Sequence, residues 1–178
     1  MRKFLAFIFV VGIAILVINA LGTHHTRFNS PATEESGGRD RIILPSPAPS
    51  TMSVRSEAAG WQSTAVHVDA LDTIQVSASG TVTYWRGKDG SEQRCGPDGV
   101  TGTTADSCYL APGLNKNALV GAIYIDSSHT YWKFNVGSSC SVRSPSSGML
   151  YFGINDTNNC GGTADNRGGW DLSFRVIP

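Results

Sequence analysis

Residues 148–176, GMLYFGINDTNNCGGTADNRGGWDLSFRV, confine the chain to a narrow class of folds. Residues 149–154 are apolar on both strand faces, as a buried central strand requires. Trp170, Leu172, Phe174 and Val176 instead alternate with Asp171, Ser173 and Arg175, the pattern of a strand with one wet face. The polar segment between them is therefore held at both ends by ordered strands. It carries Asn155, Asp156, Thr157, Asn158, Asn159, Thr163, Asp165 and Asn166 and no lysine. Hard oxygen donors at this density suit calcium, although the same residue types are also the ordinary material of turns.

The rest of the chain predicts an all-β partner for these strands. Residues 61–68, 73–79 and 81–85 read as strands, with turns at 69–72 and at Gly80, which makes an antiparallel meander. Residues 118–125, 131–136, 149–154 and 170–177 add four more, and no helical period of useful length occurs after Gly22. Seven or eight short strands without a helix point to a two-sheet β-sandwich of jelly-roll type spanning residues 53–178. Residues 86–117 form a long polar stretch with GKDG, CGPDG and GTTADSC, and a segment of that length within a compact domain is usually functional.

Ahead of the domain, Arg2 and Lys3 precede an apolar run from Phe4 to Val17, with a weaker tail to Gly22. Residues 1–22 read as a signal peptide or a membrane anchor, and either one directs residues 23–178 to export. Residues 23–52, rich in Pro, Ser, Gly and charge, read as a disordered linker. With 14 basic and 14 acidic residues unsegregated into long runs, the chain lacks the electrostatic footprint of a nucleic-acid binder. Cys95, Cys108, Cys140 and Cys160 suit an oxidising destination, and Cys95–Cys108 and Cys140–Cys160 are the expected bridges because each closes a local loop. The spacing of these cysteines is not that of a zinc finger or ribbon.

The sequence holds no positive sign of catalysis. No G-x-S-x-G occurs, His67 and His129 read as solvated surface residues, and spacing does not pair Asp98, Asp106, Asp126, Asp156 or Asp165. Binding is better supported: Trp85, Tyr84, Tyr109, Trp132 and Trp170 offer aromatic faces, and shallow clefts for uncharged polyols need such faces beside fixed polar groups. Trp132 and Trp170 are assigned to the core, whereas Tyr84 ends a strand where the long loop begins.

The stretches GWQSTAVHV, DTIQVSASGTVTY, CGPDG, ALVGAI, SGMLYFGIND and DNRGGWDLSFRV together resemble the calcium-dependent galactophilic lectins of the PA-I type, and they span nearly all of residues 53–178. The resemblance implies a galactose-binding-domain-like jelly roll in which one loop-bound calcium coordinates two sugar hydroxyls. It implies Asp156 as the principal carboxylate ligand, Asp165 and Asn166 where the family has two side-chain amides, Thr163 through its carbonyl and Tyr84 through a carbonyl from the other loop. Sugar contacts are expected from Thr103, Asp106, Asp156, Thr157 and Asn166, with galactose-containing glycans as the implied partners and oligomerisation allowed. Two departures stand out. The loop from Asp156 to Thr163 is longer and contains Cys160. Residues 99–110 contain neither the His nor the Gln that help the family select galactose, and Thr103, Thr104 and Asp106 are the nearest substitutes. A structural or adhesion domain with a protein partner, and a glycan-acting enzyme, are the competing classes.

Overall fold

Nine strands and no helix carry the described residues of the computed structural model, which are 46–157, 160 and 162–178. They are β1 (Ser50–Arg55), β2 (Gln62–Val68), β3 (Thr73–Arg86), β4 (Glu92–Cys95), β5 (Leu119–Ile125), β6 (Thr130–Asn135), β7 (Ser139–Arg143), β8 (Gly148–Ile154) and β9 (Arg167–Ile177). All pairings are antiparallel, and they build two sheets. One runs β1-β9-β3-β4, with β7 also on β3, and the other runs β2-β8-β5-β6. The two most constraining strands are thus interior in opposite sheets, as their patterns require.

Alternation decides what lies between the sheets. Val54, Ile74, Val76, Val82, Trp170, Leu172 and Phe174 face Val68, Leu119, Ile123, Phe134, Leu150, Phe152 and Ile154 in one buried cluster. Phe152 meets Phe174 edge-on across the layers at 5.4 Å. Burying side chains of this size stabilises by about 1.5–3 kcal/mol each, so the facing rows are the main force closing the sandwich. Trp170 is fully buried and Trp132 packs against the cluster, in line with their assignment to the core. The wet side of the four-stranded sheet is covered by its own aromatics, with Tyr131 stacked on Trp61 at 5.5 Å and edge-on to Tyr151. His67 is exposed beside Asp69, and His129 bonds the Tyr124 hydroxyl at 3.0 Å, so both are surface residues as expected.

Several boundaries differ from the sequence reading, each for a non-local reason. Gly80 does not turn the chain: β3 passes straight through it. A Cβ there would lie 2.6 Å from the Gly169 carbonyl, so glycine serves a close approach of β9, and a single 14-residue strand replaces the expected hairpin. β1 begins at Ser50, inside the segment read as linker, because Met52 and Val54 find partners on β9. Ser139–Arg143, absent from the strands read in the sequence, is β7, and the long loop contains β4; both are short edge strands recruited by β3. The segments read as signal or anchor, 1–22, and most of the linker, to residue 45, lie outside the described residues.

The expected disulfide pairing is also corrected. Cys108 is bonded to Cys160, and Cys95 and Cys140 are half-buried thiols. Cys95 pairs with Val82 and Cys140 with Val76, along the same edge of β3. Six residues of strand place them about 20 Å apart, against the roughly 4.4–6.8 Å between Cα atoms that a bridge needs. The same position of β7, at the far end of β3, keeps Cys140 from the loop that contains Cys160. Burial pushes both thiols up to about 11, and the Asp156 carboxylate adds to the effect on Cys95.

Candidate functional site

β8 ends and β9 begins at the same end of the sandwich but in opposite sheets, so residues 155–166 must cross from one layer to the other. Asn155 fixes the start of that crossing. Fully buried, its side chain accepts from Ala111 N at 2.7 Å and donates to the carbonyls of Ala111 at 3.0 Å and Asn115 at 2.9 Å. Leu110 N donates to Asp156 O, Asn117 N donates to Asn155 O, and the Cys108–Cys160 bridge closes the same contact covalently. Two segments remote in sequence therefore form one wall. Gly99 makes the CGPDG turn beneath it, at φ +73°, where a Cβ would sit 2.5 Å from the Lys116 carbonyl.

Of the oxygen donors expected from sequence, Asp156, Thr157, Thr163, Asp165 and Asn166 gather here, while Asn158 and Asn159 lie outside the described residues. Asp156 is buried; one carboxylate oxygen accepts Thr157 N at 2.7 Å and the other accepts Asn166 Nδ2 at 2.7 Å. Asn166 is 1% exposed and also donates to Ser56 O at 3.2 Å, which ties it to the end of β1. Its Oδ1 is buried with no hydrogen-bond partner among the described residues. Thr163 is buried, with its hydroxyl on Glu57 O at 3.2 Å and its carbonyl accepting Asn166 N at 3.0 Å. Arg167 donates to the carbonyls of Ala164 and Asn166 and holds the turn before β9.

The opposite wall comes from the five-stranded sheet. The β3–β4 register slips between Thr83 and Trp85, and the β3–β9 pairing stops at Thr83. Tyr84 is the extra residue of this bulge and has no strand partner on either side, the local condition under which a carbonyl can turn away from the ladder. The walls enclose an open cleft of about 520 Å³. Tyr84, Trp85 and Gln93 line it from β3 and β4, Val100, Thr103, Tyr109, Lys116 and Asn117 from the long loop, and Asp156, Thr157, Gly162 and Asp165 from the crossing loop.

Of the expected metal ligands, Tyr84, Asp156 and Asp165 line the cleft, while Asn166 and Thr163 lie buried behind it. Of the expected sugar contacts, Thr103, Asp156 and Thr157 line it. The Thr103 hydroxyl donates to Val100 O at 2.6 Å. Asp106 is exposed, accepts Cys108 N at 2.9 Å within its own turn, and is not among the lining residues. Tyr109 lines the cleft, and so do Gln93 and Lys116, which the sequence does not mark as ligand contacts. Nothing local distinguishes them, because only the folding of the long loop against β4 brings them together.

Among the described residues no three His, Cys, Asp or Glu side chains converge as a metal cluster. The donor set is instead one of carboxylate, amide and carbonyl oxygens, the hard mixture calcium takes and zinc or copper does not favour. The unpartnered Asn166 Oδ1 beside Asp156 fits such an ion, since a buried amide oxygen left without a partner costs about 1–3 kcal/mol.

Among solved structures the chain matches the EclA N-terminal domain, described as a PllA-like lectin. The match has a TM-score of 0.51 and 19% identity and covers 71% of this chain and 94% of that one. This chain has the PllA-like lectin fold. No family description matches the sequence. No curated protein matches it either. The PllA-like lectin fold agrees with the two antiparallel sheets and with the resemblance that the strand motifs carry.

Proposed function

We propose that this chain is an exported, calcium-dependent carbohydrate-binding protein whose cleft lies between the crossing loop and the β3–β4 end. The observation that carries the reading is the buried Asp156–Asn166 pair with its unpartnered amide oxygen, set behind a cleft lined by Tyr84, Thr157 and Asp165. Asp156, Asp165, the Asn166 amide and the carbonyls of Tyr84 and Thr163 would hold the ion. Calcium bound there would supply coordination positions that two sugar hydroxyls fill in place of water. Thr157 and Thr103 stand at the cleft to bond other hydroxyls, and Trp85, 44% exposed, offers a flat apolar face to a sugar ring.

The lectin name of the matching structure supports carbohydrate binding without turnover. The Cys108–Cys160 bridge supports export, because such bonds persist in oxidising compartments. Residues 1–22 would supply the route out and, if retained, a membrane tether. A glycan array probed with the full chain tests the reading: binding to a subset of glycans in millimolar calcium, erased by chelator and restored by calcium, is expected. Binding unaffected by chelator, or none to any glycan, would refute it.

A further inference from the structure

Among the described residues that line the cleft, Lys116 is the one cation. Half-buried, it holds its ammonium 5.0 Å from the centre of the Tyr109 ring. Among the described residues it forms no ion pair within 4.0 Å; those present involve His67, Arg86 and Arg94. Asp156 and Asp165 are the two carboxylates among the described lining residues. A divalent cation would cancel their charge and leave Lys116 uncompensated in a partly desolvated cleft, where like charges repel more strongly than in water. A neutral sugar does nothing for that repulsion. An anionic group on the sugar relieves it and gains a charge-assisted hydrogen bond.

We infer that the preferred ligand is an acidic sugar, one bearing a carboxylate or sulfate that pairs with Lys116 while its ring lies against Trp85. The inference rests on the calcium-dependent reading above and adds the ligand's chemical class. It also couples the two ligands: an anion on Lys116 removes its repulsion of the ion, so acidic sugar and calcium each strengthen the other's binding.

The test uses the full chain at saturating free calcium on an array of matched pairs, uronate against its neutral sugar and sulfated against unsulfated, so that the two anion sources are read separately. The best pair is then measured by calorimetry with wild type and Lys116→Gln. The acidic member should bind about five- to tenfold tighter, less so as salt rises, and Lys116→Gln should abolish the difference while leaving neutral-sugar affinity within about twofold. Without sugar, Lys116→Gln should bind calcium a few-fold tighter by calorimetry, which also shows that the variant is folded. Calcium-dependent binding with no acidic preference, or a preference indifferent to Lys116→Gln, overturns this inference alone. Calcium-dependent binding to no member of the array overturns the carbohydrate reading and this inference with it.

Discussion

Asn166 shows how much a single amide can decide. Its Nδ2 is committed to Asp156 and Ser56 while its Oδ1 is buried without a partner among the described residues. Asn166→Asp removes the donors and sets a second carboxylate against Asp156, so in chelator it should lose on the order of 1–3 kcal/mol of stability. Calcium should recover most of that loss, because the added charge strengthens attraction for the ion, and melting with and without calcium reads both halves. The two unbridged cysteines make a separate residue-scale prediction. Burial raises each thiol from 9.0 to about 11, so at pH 8 the native protein should be alkylated about a hundredfold more slowly than free cysteine. The stability this burial of neutral thiols contributes is full below pH 9 and is lost as pH rises towards 11. Rapid labelling of Cys95 at pH 8 in the folded chain would contradict the packing of β4.

At the scale of elements, the crossing loop is held by a covalent tie that the sequence does not reveal. Cys108–Cys160 spans 52 residues, and in the chain-entropy model a bridge of that span stabilises by on the order of 4 kcal/mol. Replacing both cysteines with serine should lower the melting temperature and weaken calcium binding at least several-fold, since Tyr109 and the crossing loop would no longer be fastened together. Non-reducing peptide mapping should recover this bridge and two free thiols. β8 and β9 are legible because an interior strand and a half-wet strand each impose a strict pattern on their own residues. β4 and β7 are not, because EQRC and SCSVR are strands only where β3 offers an edge. Gly80 mimics a turn for a related reason: a distant backbone, and not the local chain direction, requires the glycine. Within the site, Asp156, Asp165 and Asn166 are legible as a cluster in one loop. Lys116 and Gln93 belong to the same cleft only after the long loop has folded back on β4.

Across the whole molecule, the sandwich places loops from opposite sheets at one end and leaves a cleft between them. A ligand that bridges such loops binds only the folded chain. Calcium at a hundredfold over its dissociation constant should therefore stabilise by about 2.7 kcal/mol, seen as a melting temperature several degrees higher. Asp156 is the residue on which this linkage depends, and Asp156→Asn keeps its shape while removing its charge. The most direct test is calorimetric titration of calcium into the metal-stripped full chain and into Asp156→Asn, and then of an array-selected sugar into each. The account predicts one calcium per chain in the wild type, calcium-dependent sugar binding after it, and neither in a variant that still melts cooperatively. Equal calcium and sugar binding by wild type and Asp156→Asn, or no calcium uptake by the wild type, would contradict it.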